Sequence, residues 1–137
     1  MKKLETLLND YADHVAKRAS QGIPPLPLNA EQTNCVTQLL EEENISESDY
    51  LLDLLINRVP PGVDEAAYIK ASWLTAIVNG EKHCKFINSQ KAIQILGTMI
   101  GGYNVNSLTE ILKHKNNLLA KEAAKVLKHI ILSLIHI

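Results

Sequence analysis

Aromatic side chains are scarce in this sequence: one tryptophan, one phenylalanine and four tyrosines, 4% of its 137 residues. Few rings are therefore available to stack on bases. Acidic and basic residues are interspersed and nearly balanced, at a net charge of -1, so the basic face of a nucleic-acid binder is missing too. Nucleic acid is set aside as a partner. Cysteine is almost absent: Cys35 and Cys84 lie far apart and neither belongs to a Cys-x-x-Cys pair, so no metal signature is present. Both read as small buried apolar residues. No apolar run reaches the ~20 residues that span a bilayer. The N-terminus alternates charged and apolar residues where a signal peptide has an uninterrupted apolar core. The cytoplasm is the expected location. Nor does any stretch alternate polar and apolar residues as a half-buried strand does, which leaves an all-α chain.

What is present is helical periodicity with clear punctuation. Leu4, Leu7, Leu8, Tyr11, Val15 and Ala19 recur every three or four residues and mark a first helix, stopped by Gly22. Residues 23 to 28, Ile-Pro-Pro-Leu-Pro-Leu, must be extended. A proline-rich ligand segment is one reading of them; Ile23, Leu26 and Leu28 as apolar pins against the helices is the favoured one. Asn29 with Gln32 fits a capping box and opens a second helix with Val36, Leu39 and Leu40 inward. Ser46 and Asp49 open a third, buried through Tyr50, Leu51, Leu54 and Leu55. It runs into Pro60-Pro61-Gly62, a rigid reversal from which Asp64 caps a fourth helix carrying Ile69, Trp73, Ala76 and Ile77. These two helices are expected to form a central hairpin. Ser89 should cap a fifth helix with Ala92, Ile93 and Leu96 inward. A sixth should follow an Asn106 cap, and a seventh begin near Leu118. Seven helices joined by short turns suggest a HEAT-like stack of antiparallel hairpins in one domain over residues 1–137.

No catalytic constellation is visible. The five histidines, His14, His83, His114, His129 and His136, make no His-x-x-x-His or Glu-x-x-His pair. Asp64 and Glu65 are adjacent carboxylates that diverge on a helix, and capping accounts for them. Gly97, Gly101 and Gly102 lack the spacing and the lysine of a phosphate loop. They read instead as a helix end, with Gly101 or Gly102 left-handed and a close backbone approach nearby. Tyr103 and Asn104, held on that loop, and Arg58, beside the proline turn, are the candidate contacts to another domain. No catalytic, cofactor-binding or metal-ligating residue is assigned.

Three segments together carry a resemblance. They are residues 14 to 32, from His-Val-Ala-Lys-Arg to Asn-Ala-Glu-Gln; residues 51 to 71, containing Asn-Arg-Val-Pro-Pro-Gly-Val-Asp-Glu-Ala-Ala-Tyr; and residues 96 to 104, Leu-Gly-Thr-Met-Ile-Gly-Gly-Tyr-Asn. In order and spacing the chain resembles the N-terminal domain of bacterial aconitase B, from about Tyr11 to about Leu132. The resemblance implies a HEAT-like domain that precedes the catalytic domains, packs on them and helps to shape the route to the active site. The full-length enzyme would be a hydro-lyase, aconitate hydratase and 2-methylisocitrate dehydratase, of the citrate cycle. Its implied cofactor is a [4Fe-4S] cluster held by three cysteines, with a serine as base. Those residues belong to later domains, so Cys35 and Cys84 are not assigned to the cluster and this chain alone is expected to be inactive. The implied partners are the enzyme's own catalytic domains, with a homodimer or other proteins as further candidates. After Leu132 the sequence stops following the family, which suggests a truncated end. The rival reading is a free-standing helical interaction module without catalysis.

Overall fold

The structure is a computed structural model that describes residues 2–42, 48–60, 64–99, 102–113 and 116–135. Seven α-helices and no strand occur among these residues: α1 (Lys2–Ser20), α2 (Ala30–Leu40), α3 (Ser48–Asn57), α4 (Glu65–Val78), α5 (Ser89–Thr98), α6 (Gly102–Leu112) and α7 (Asn117–Ile135). The chain is all-α, as its periodicity requires. No helix among the described residues is long and apolar enough to cross a membrane.

Local chemistry sets the helix ends. At α2 both halves of the capping box are made: the Gln32 amide donates to Asn29 Oδ1 at 2.8 Å, and the Asn29 amide donates to Gln32 Oε1 at 3.0 Å. The Ala66 amide donates to Asp64 Oδ1 at 2.9 Å, so Asp64 caps α4 as expected. The cap of α5 is Asn88 rather than Ser89, with the Lys91 amide donating to its Oδ1. Two capping residue types stand side by side there, and the one whose carbonyl begins the helix takes the role. Gly22 and Gly80 are the glycines with positive φ among the described residues, 73° and 81°. Each closes a helix with a paired Schellman bond, Ile23 N to Arg18 O after α1 and Glu81 N to Ala76 O after α4.

The helices stack two deep. α2 packs along α3, α4 along α5, and α6 along α7, while α2, α4 and α6 also pack in succession and α5 lies against α7. α1 covers α2. This corrects the expected pairing: α3 does not lie along α4, so the Pro60 turn leads from one hairpin to the next. One tie between them is the buried Lys70 of α4, whose Nζ donates to Ile56 O at 3.3 Å. Pro61, Gly62, Ser46 and Gly101 lie outside the described residues, as do the side chains of Leu4, Leu7, Leu8 and Leu134.

One hydrophobic cluster runs through the stack, from Tyr11 and Leu28 through Val36, Leu40, Leu55 and Leu74 to Ile93, Leu96, Leu108 and Ile111. α4 sits at its middle and is buried over most of its circumference, through Ala66, Ala67, Lys70, Ala71, Trp73, Leu74, Ile77 and Val78. Small residues on three sides let α2, α5 and α6 approach it together. Ile69 and Ala76, expected inward, are only half-buried. Tyr50, also expected inward, is exposed. At the far end of α4, Trp73 Nε1 donates to Glu41 Oε1 at 3.0 Å, and Lys82 Nζ lies 3.4 Å from the same oxygen. The Cys84 thiol donates to Leu40 O.

Candidate interdomain surface

Asn104 is not a surface group. It lies in the first turn of α6, not on a loop, and is 2% exposed. Its Nδ2 donates to Leu96 O at 3.0 Å and to Met99 O at 2.9 Å. The side chain therefore serves the carbonyls that end α5, adding to the bond that the Met99 amide gives Leu96 O. Its buried Oδ1 has no hydrogen-bond partner. Asn104, expected as a contact to another domain, is thus buried within this chain, with its amide nitrogen committed to α5.

Tyr103, the next residue back, is half-buried against the core and meets Tyr68 edge to face, with ring centroids 5.3 Å apart and an interplanar angle of 68°. Tyr68 is 54% exposed. Periodicity did not single out Tyr68, because it falls on the solvent side of α4. An exposed tyrosine braced by a second ring is a rigid amphipathic contact of the kind that interfaces favour.

Arg58 follows α3. Its backbone is engaged, since its amide donates to Leu54 O and its carbonyl accepts from Leu28 N at 2.8 Å. Its guanidinium lies close enough to Tyr11 to oppose, in part, the burial that pushes the Tyr11 phenol above its usual range. Arg58 is half-buried. The three sequence candidates thus separate. Arg58 sits near the α1 end of the stack, Tyr103 beside α4, and Asn104 inside.

The largest exposed apolar residues gather elsewhere, on the last hairpin. Val105 and Leu112 share one face of α6, 38% and 41% exposed; Leu118 and Leu132 share one face of α7, 77% and 45% exposed. The opposite end of the stack is covered by α1. Burying such side chains would gain roughly 1.5–3 kcal/mol each, so this face is the strongest docking surface among the described residues. No element of the described chain covers it.

Two grooves open to solvent. One, about 510 Å³, is lined by Pro27, Leu28, Asn29, Ala30, Glu31, Pro60, Asp64 and Glu65. Another, about 290 Å³, lies between α5 and α7 above Gly97 and Val126. Neither brings together a nucleophile, a base and an oxyanion donor. Among the described residues no three His, Cys, Asp or Glu side chains gather to hold a metal. An iron–sulfur cluster does not fit here: it takes thiolate ligands, whereas Cys35 and Cys84 are two, both buried, and burial raises both thiols above their usual range.

Comparison with known proteins adds what geometry does not hold. Residues 10–135 match the aconitate B N-terminal domain family. The aconitate hydratase B of Synechocystis is 53% identical over 126 residues, that of Pseudomonas aeruginosa 52% and that of Escherichia coli 49%, in each case over 92% of this chain. The chain spans 14% of the length of each of these curated relatives.

Proposed function

Because the chain belongs to the aconitate B N-terminal domain family, we propose that it serves as the N-terminal domain of an aconitate hydratase B and supplies contacts, not chemistry. The full-length enzyme would interconvert citrate and isocitrate through cis-aconitate, and would hydrate 2-methyl-cis-aconitate, in the citrate cycle of the cytoplasm. Its [4Fe-4S] cluster would reside in the catalytic domains, and those domains would be this chain's partners. A HEAT-like stack suits the role, because each hairpin buries one face on the last and presents the other to the next.

The observation that carries the reading is the bare apolar side of α6 and α7, with Val105, Leu112, Leu118 and Leu132 exposed. We assign it as the seat of the remaining enzyme, with the Tyr68–Tyr103 pair and Arg58 as further contacts. The test is to mix the purified chain with the Synechocystis relative from which its matching N-terminal segment has been deleted. A stable complex is expected, weakened by the combined L118S and L132S substitutions, and the chain alone should turn over neither citrate nor isocitrate. Turnover by the chain alone would overturn the proposal, as would failure of the two parts to associate.

A further inference from the structure

The segment from Ile23 to Leu28 is held to α1 and to the end of α3 by polar bonds. Pro24, Pro25 and Pro27 have no amide hydrogen, so three donors remain, and all three are used. The Ile23 amide donates to Arg18 O at 3.1 Å, the Leu26 amide to His14 Nε2 at 3.1 Å, and the Leu28 amide to Arg58 O at 2.8 Å. Two carbonyls are held as well: Tyr11 Oη donates to Leu26 O at 2.8 Å and Arg18 Nε to Pro24 O at 2.9 Å. The expected apolar pinning is true of Leu28 alone, which is 1% exposed; Ile23 and Leu26 are 40% and 54% exposed. Tyr11, His14 and Arg18 fall on one face of α1, and from it they grip the backbone rather than the side chains.

Of the three acceptors, two are carbonyls and one is an imidazole. We propose that His14 is a pH-sensitive latch: neutral, it accepts from the Leu26 amide and holds the middle of the segment; protonated, it releases it. An imidazolium carries hydrogen on both nitrogens, so Nε2 would confront the Leu26 N–H as a second donor. The segment itself has no titratable side chain. On α1, Arg18 stands one turn ahead and Asp10 one turn behind, and the Tyr11 ring lies 5.9 Å away with its hydroxyl already committed to Leu26 O. From α3, Arg58 and Tyr50 bear on Tyr11. α2, which packs on α1, brings Glu31 and the buried Cys35. Pro27 and Leu28 form one wall of the 510 Å³ groove that Asp64 and Glu65 close from the other side. Release of Leu26 therefore slackens that wall while Leu28 stays seated.

Amide exchange on the 137-residue chain, followed by NMR across the titration of His14, tests this. The Leu26 protection factor is expected to fall roughly tenfold as the imidazole charges, the factor that one ordinary hydrogen bond carries, at the midpoint of the His14 ring resonances. The Leu28 amide should not change. In H14Q the side-chain oxygen accepts at every pH, so Leu26 should stay protected throughout. Constant Leu26 protection in the parent, a fall shared by Leu28, or the same fall in H14Q would each overturn the latch.

Discussion

Gly97 and Val126 are in direct contact: a Cβ at Gly97 would overlap Val126 Cγ1. The backbone of α5 thus presses on a β-branched side chain of α7, and this is where α5 and α7 approach. Val126 has little rotamer freedom in a helix with which to retreat.

Gly97→Ala should therefore destabilise the chain, despite alanine's better helix propensity, by about 1–3 kcal/mol, as overpacking does. Val126→Ala costs stability by itself, but in that background the added Cβ finds space. A double-mutant cycle by urea unfolding is expected to show strong coupling. Simple additivity would contradict the contact.

Lys70 gives a pH dependence whose sign is fixed. Burial lowers its pKa from 10.5 to about 8. Below pH 8 both folded and unfolded chains carry the proton, and the charged ammonium sits in the core at full cost. Between about 8 and 10.5 the unfolded chain holds more protons than the folded one, so this group makes stability rise with pH. Lys70→Met should remove that rise. At pH 7 it is expected to be more stable than the parent, by up to about 3 kcal/mol for a shift of this size, less the loss at Ile56 O. Unfolding at pH 7 and pH 10 should show the advantage shrinking; a pH-independent difference would count against it.

The capping box of α2 predicts an ordinary loss. Asn29→Ala removes the acceptor of the Gln32 amide and should cost about 1 kcal/mol. Asn29→Asp, which keeps the acceptor beside the helix N-terminus, should cost little. Thermal unfolding of the two variants separates capping from mere surface change.

Asn104 and Arg58 should behave oppositely. Asn104→Ala removes the side-chain donor shared by the Leu96 and Met99 carbonyls and is expected to lower the stability of the isolated chain by about 1–3 kcal/mol. Arg58→Ala should leave the isolated chain within about 0.5 kcal/mol of the parent, and weaken its association with the truncated relative. Equal stability losses in the two variants would erase the distinction.

The sequence made those features legible that depend on neighbours in the chain. Asn29 and Gln32, Asp64, and the stops at Gly22 and Gly80 are local chemistry, and the helices begin and end by them. What depends on distant partners was not legible. A Pro-Pro-Gly turn tells that α3 ends, but not that α3 will lie along α2. α4 has apolar or small residues on most sides, so its periodicity could not say that Ala66, Ala67 and Leu74 are buried while Ile69 is half out. Asn104 was misplaced because Gly101 and Gly102 read as loop, whereas α6 starts at Gly102. The extended segment looked apolar by composition, and its backbone bonds to Tyr11, His14 and Arg18 leave no trace in hydropathy.

The burial of α4 against α2, α5 and α6 bears on how the chain comes apart. A stack in which each hairpin touches only its neighbours can fray one unit at a time from either end. Here a single helix is common to three contacts, so the α2–α3 hairpin cannot leave without uncovering the element on which α5 and α6 also rest. Unfolding from that side is thereby cooperative, whereas α1 and α7, at the two ends of the stack and not resting on α4, are free to open early.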